Sequence, residues 1–524
     1  LIRLVQGAQE EQHSFSIHGH KWLKESNDPD SGYVNAQEIG ISEHFEFSIS
    51  NGLPAIKNRF KTADYLYQSA TSGDLWNGMW GIMRTYSDPQ PDLSVLPNNL
   101  EMKGVKIQHC PDKSKIREYR VHAISAKGNL PGDKLVYNEK YKLYDPDAII
   151  FVDEKNLASV RAGTRKPEPL VLRASAGECL KVTLFNDLPP LLTKTPHWIS
   201  SPPITEGFNI NQVPMSSRVS LHPQLVTYDV SRFDGTNVGL NDDQTIGPGE
   251  SRLYKWFAGS YDENKKPVAT ELGAINLKSF GDIVNHPMHG AFGGLIVEPE
   301  NATWVTDMNS DIQATITYKD KNGVVQSFRE HVLFMQDDIA LHSTNPNFLS
   351  GSYNSGTALR NIAVSEGAED LGQKGYNYRT EPFYARLGTN PGLALLNDMD
   401  LTDILSSKRF GDPATPILKA KVGQNIRIRL LMPNSTNRQH SFTLHGAEWA
   451  ENAWAKGTKS NVIGQNDSSR IISTQTGIAS MKAYNIVPFY GAGGAAGLSG
   501  DFLYRNQETG VFSNGAWGIL RIEP

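Results

Sequence analysis

Short apolar runs, broken every few residues by turn formers, recur along the chain, and none keeps a helical period. Residues 169–173 and 179–186 are apolar with partial alternation and are split by Ala176-Gly177-Glu178. Residues 417–431 repeat the design around Val422-Gly423-Gln424. There Ile426, Ile428 and Leu430 fall on one face, because side chains alternate along a strand. Residues 311–318 and 331–336 predict two further strands, with Lys321-Asn322-Gly323 as a turn between them. Strands of this length and spacing predict β-sandwiches in series.

An internal repeat organises the pattern. His13-Ser14-Phe15-Ser16-Ile17-His18-Gly19 returns as His440-Ser441-Phe442-Thr443-Leu444-His445-Gly446. Asn77-Gly78-Met79-Trp80-Gly81-Ile82-Met83-Arg84 returns as Asn514-Gly515-Ala516-Trp517-Gly518-Ile519-Leu520-Arg521. Asp64-Tyr65-Leu66-Tyr67 matches Asp501-Phe502-Leu503-Tyr504. A third relative of the closing block lies at His289-Gly290-Ala291-Phe292-Gly293-Gly294-Leu295. These blocks end three units: residues 1–86, which match only the second half of the last unit, then 114–302 and 303–524 after a linker at 87–113. The sequence is therefore expected to start inside a domain. Trp22, Trp80, Trp449 and Trp517 stand beside the repeated motifs and are expected to be core packing.

Composition narrows the field. The 524 residues carry 51 Lys+Arg against 56 Asp+Glu, a formal charge of −5, which gives no footprint for nucleic acid. No apolar run approaches the length of a membrane-spanning helix, and the mean hydropathy is −0.42. There is no phosphate loop, no dinucleotide glycine fingerprint and no nucleophile elbow. Asp242-Asp243 and residues 366–370 are acidic and would suit oxygen-liganded ions or solvated loops. Two cysteines, Cys110 and Cys179, allow one disulfide at most, and the sequence leaves open whether they pair.

A turn of Gly-Glu or Gly-Gln, a strand ending in Asn, His-x-x-x-x-His-Gly and a closing Gly-x-Leu together resemble the multicopper oxidases. The likeness covers nearly the whole chain and is nearest to large bacterial members linked to manganese and iron oxide chemistry. It implies an all-β fold of tandem cupredoxin-like Greek-key β-sandwich domains, with copper as cofactor. It also implies oxidation of metal ions or small reductants coupled to dioxygen reduction. The implied location is extracellular, at the cell surface or in the periplasm. The implied partners are N-terminal cupredoxin domains missing from this chain, or another subunit.

Carried over residue by residue, the resemblance makes His13 and His440 type 1 ligands, and His18 and His445 members of a trinuclear cluster. His20 repeats a further His-Gly-His element, and His289 aligns with a type 1 ligand beside His286. His197 and His222 are weaker candidates. The pattern is degenerate. Ser16 and Thr443 stand where the family has cluster histidines, and a hydroxyl is a poor copper ligand. The type 1 cysteine positions hold Ser72, Val284 and Thr509, so no thiolate is available there. Alternation along one strand would put Ser16, His18 and His20 on one face and His13 on the other. Two readings follow: part of a larger oxidase completed by other polypeptide, or a degenerate cupredoxin scaffold for extracellular assembly or binding.

Overall fold

A computed structural model describes residues 1–7, 12–49, 61–88, 90–93, 110–195, 213–262, 264–348, 359, 373–389, 400–435 and 440–524. Nearly all regular structure is β, and the longest helix among these residues is the eight-residue Glu154–Arg161. The fold is the expected all-β series of sandwiches.

The first copy of the repeat builds one four-stranded sheet in the order Ala36–Ile39, His13–Ile17, Thr62–Ser69, Trp80–Tyr86. The last copy builds the same path through Thr474–Ile478, His440–Leu444, Gly500–Arg505 and Trp517–Glu523. Registers coincide. Ser16 faces Gln68 across the sheet as Thr443 faces Arg505, and His13 faces Ile39 as His440 faces Ile478. In the last copy a fifth strand, Ile417–Lys421, runs parallel to Trp517–Glu523 on its outer side. The first copy has no such strand among the described residues, and Trp80–Tyr86 is the sheet's edge.

The middle sandwich pairs Ile149–Asp153, Ile116–Ser125, Cys179–Asn186 and Ser251–Phe257 in one layer. Its other layer is Leu170–Ser175, Phe292–Glu298, Gly273–Lys278 and His222–Pro223. Leu170–Ser175 lies parallel to the closing strand Phe292–Glu298 and is buried throughout, as strands covered on both faces are. The second layer of the last sandwich holds Val325–Ile339 and Ile426–Leu431, again parallel.

The first copy has no separate core. Ile17, Trp22, Phe47 and Tyr65 join one apolar cluster with Val182, Leu221, Val230 and Trp256 of the middle sandwich. Trp22, Trp449 and Trp517 are buried as expected, but Trp80 is 53 % exposed, a correction to the packing expectation. Nothing among the described residues covers its outer side.

Between the middle and last sandwiches the contact is ionic as well as apolar. Arg429 donates to Glu330 Oε1 and to Glu298 Oε2, both at 2.9 Å, and Arg173 donates to Glu330 Oε2 at 2.9 Å. All four side chains are buried. Burial raises the Glu330 carboxyl, but Arg173 and Arg429 outweigh it and bring its pKa to about 2. Cys110 and Cys179 are bonded to each other, which answers the question the sequence left open.

Candidate functional site

Two turns bring the donors together. The strand from His13 ends at Ile17, and the chain reverses through Gly19, whose φ of +70° suits a residue without Cβ. This overturns the expectation that His18 and His20 continue the strand and project to one face. His18 is carried onto the middle sandwich, and Gly19 N donates to the Tyr228 hydroxyl at 2.9 Å. His222 opens the short strand His222–Pro223, opposite Lys278. Asp234 ends the helical turn Val230–Phe233. It is followed by Gly235 at φ +76°, where a Cβ would lie 2.2 Å from the Leu221 carbonyl oxygen. Gln244 Oε1 accepts from Asp234 N at 2.5 Å and from Gly235 N at 3.0 Å, which fixes that turn.

The result is a buried cluster of His18, His222 and Asp234, with one donor atom of each within 4.8 Å of the others. His18 Nδ1 lies 2.9 Å from Asp234 Oδ2. His222 Nδ1 lies 2.8 Å from the Asp234 backbone oxygen and 3.2 Å from Oδ1. The imidazoles stack with centroids 3.8 Å apart, and the Phe280 ring meets both edge-on. Tyr228 and Thr236 hydroxyls donate to the same carboxylate at 2.8 and 2.5 Å.

Charge follows from this geometry. Burial pushes the Asp234 carboxyl up, but the two imidazoles and their hydrogen bonds outweigh it and hold it well below the usual range. Burial drives His18 down to about 4 against the pull of Asp234, so the ring is neutral near pH 7. An ionised carboxylate only accepts, so Nδ1 carries the proton and Nε2 the lone pair. The Gln68 amide meets that Nε2 at 3.2 Å. Lys278, buried beside His222, is lowered to about 7 by desolvation and disfavours further positive charge on His18.

The other candidate histidines do not converge. His13 Nδ1 is 2.7 Å from Asp74 Oδ2, and His440 Nε2 is 2.9 Å from Asp337 Oδ2, while Asp337 Oδ1 binds the Lys374 ammonium. His440 Nδ1 meets the Asn506 amide at 3.1 Å. His289 Nδ1 is 2.8 Å from Asp145 Oδ2. The neighbouring His286 bonds the Ser279 hydroxyl at 2.9 Å and the Ser216 carbonyl at 2.8 Å instead. His445 lies near the surface, where Arg505 Nε donates to its Nε2 at 3.3 Å. His20 stacks on Tyr65 at 4.6 Å, and its two ring nitrogens have no hydrogen-bond partner among the described residues. His197 and residues 366–370 lie outside the described residues. Asp243 accepts from Arg218 at 2.7 Å, and the described residues hold no other three-donor cluster.

The copper sites that the resemblance implies do not fit these residues. Both sulfurs are consumed by the disulfide, so neither can be a type 1 thiolate. Ser16 replaces an imidazole beside His18, and a buried lysine stands next to His222. What sequence reasoning missed is the carboxylates: Asp74, Asp145, Asp234 and Asp337 each take a ligand-position histidine. Asp234 is 216 residues from His18, so no spacing signal joins them.

No family profile matches the sequence, and no curated protein matches it. Solved structures similar to the chain include a multicopper oxidase, 15 % identical with a TM-score of 0.41, covering 80 % of this chain and 93 % of that one. A copper nitrite reductase from Nitrosomonas europaea is 14 % identical with a TM-score of 0.40, covering 78 % and 94 %. A blue copper oxidase from the same organism is 13 % identical with a TM-score of 0.40, covering 78 % and 86 %.

Proposed function

We propose that residues 1–524 form a cupredoxin-type scaffold for assembly or binding, in which the copper-ligand histidines have been turned into structural clasps. The observation that carries this reading is the pairing of His13, His18, His222, His289 and His440 with buried aspartates. An imidazole that donates to a buried carboxylate is oriented and its proton fixed. In this chain the far sides of His18 and His440 then meet the side-chain amides of Gln68 and Asn506 rather than further imidazoles. The units are divided at 1–86, 114–302 and 303–524. The Cys110–Cys179 bond favours an oxidising location such as the periplasm or cell surface.

The three-donor cluster favours a second reading. In it the chain is part of a multicopper oxidase acting on metal ions or small reductants, with the remaining ligands supplied by other polypeptide. His18, His222 and Asp234 would then hold one divalent ion at the seam between the first copy and the middle sandwich.

Copper loading separates the two. The purified chain saturated with Cu(II) should show no intense thiolate band near ~600 nm, because that chromophore needs a cysteine ligand. Elemental analysis after dialysis should give much less than one copper per chain. An intense blue band, or stoichiometric copper lost on His18→Ala, would overturn the scaffold reading.

A further inference from the structure

We propose that the outer edge of the Trp80–Tyr86 strand docks a parallel β-strand of a partner polypeptide, led by an acidic turn whose carboxylate seats on Arg84. The inference is independent of whether the chain binds copper.

The chain itself shows what such an edge takes. In both complete sandwiches the closing strand is flanked by a parallel strand, Leu170–Ser175 on Phe292–Glu298 and Ile417–Lys421 on Trp517–Glu523. In the last copy Ile417 sits opposite Ile519 and Leu418 opposite Leu520. Shifted by the repeat, those contacts fall on Ile82 and Met83, which are only half-buried. Ile417–Lys421 buries Leu418 and Ala420 and exposes Lys419 and Lys421, so the expected ligand is a short strand of that alternation.

Polar contacts make the same point. Arg521 grips Asp501 across the sheet at 2.8 and 2.9 Å. It also grips Asp412, in the turn that leads into Ile417–Lys421, at 2.8 and 2.9 Å. Arg84 makes the same cross-strand grip on Asp64, at 2.7 and 2.9 Å. It has no second carboxylate among the described residues. Tyr504 donates its hydroxyl to Pro416 O at 2.7 Å, while the equivalent Tyr67 is 41 % exposed. Trp517 is covered by Phe383 and Ile404, outside the parallel strand, so the openness of its counterpart Trp80 does not bear on the docked strand. A cation without a second carboxylate and an outward tyrosine thus line an edge that is unpaired among the described residues. Open edges of this kind are templates for another strand.

The probe is a synthetic peptide of residues 411–432 of this sequence, which carries the acidic turn and the strands it leads into, added to the full chain. Hydrogen exchange of the outward-pointing, alternate amides within residues 81–86 should slow at least about tenfold at saturation. A peptide with Asp412→Lys should bind about tenfold more weakly, and Arg84→Glu should restore that loss for the altered peptide. If Arg84→Glu does not fold, the two peptides on the unaltered chain still decide the matter. Equal binding of both peptides, or no protection of residues 81–86 by either, overturns the proposal. Protection that grows with chain concentration in the absence of peptide also overturns it, because the occupant would then be a second copy.

Discussion

The two copies of the repeat share strand order and register, and they differ in what their surroundings do with the same residues. His18 is buried against Asp234 of the middle sandwich, whereas its counterpart His445 rests near the surface on Arg505. Trp517 lies in a closed core, whereas Trp80 is half open to solvent. A local motif therefore fixes where a side chain starts. The neighbouring sheet decides whether it becomes core, clasp or surface.

Core substitutions should break the symmetry most. Trp517→Ala should cost about 3–5 kcal/mol, since it empties a closed site, and Trp80→Ala less than about 1 kcal/mol. Denaturant unfolding of both variants checks this, and equal losses would erase the distinction.

Asp337→Asn should also cost about 3–5 kcal/mol, because it strips the buried Lys374 ammonium of its anion. Asp234→Asn leaves the neutral His18 ring without its acceptor and should cost about 2 kcal/mol. Thermal unfolding at neutral pH should rank them in that order.

Acid should act through the buried histidines, His18 and His20 of the first copy as well as His331 and His342 beyond it. Burial lowers His18 and His20 to about 4, below the unfolded value of 6.5. Folded protein therefore binds fewer protons than unfolded chain between those values. Each group's contribution is complete above pH 6.5 and is lost as pH falls towards 4, at most about 3 kcal/mol per histidine. His20→Phe should remove about one proton from the stability-versus-pH slope in that window. An unchanged slope would assign the acid lability elsewhere.

The smallest effect belongs to His445→Ala, within about 0.5 kcal/mol, because its ring is partly hydrated and its one contact weak. A loss comparable to that of His18→Ala would mean that the two copies are used alike.

Much of this was legible in the sequence. The strands at 179–186 and 417–431 follow from alternation and turn residues, and the repeat foretold matching sheets. Gly19 was visible too, but its positive φ ends the strand early and separates His18 from His20, which simple alternation had joined. Trp80 looked like core because Trp517 has the same neighbours. Its exposure follows from the lack, among the described residues, of a counterpart to the Phe383 and Ile404 side chains that cover Trp517. The aspartates were hidden for a related reason: a carboxylate reveals its role only when folding brings it to a ring 61 to 216 residues away.

The Arg173–Glu298–Glu330–Arg429 knot also bears on how the molecule melts. Glu298 and Arg173 belong to one sandwich, and Glu330 and Arg429 to the next. Neither sandwich can be excised without stranding charges that water must then reclaim, so separate expression of either should give poorly soluble protein. Calorimetry should accordingly record residues 114–524 as a single heat-absorption peak rather than two, the signature of sandwiches that unfold only together.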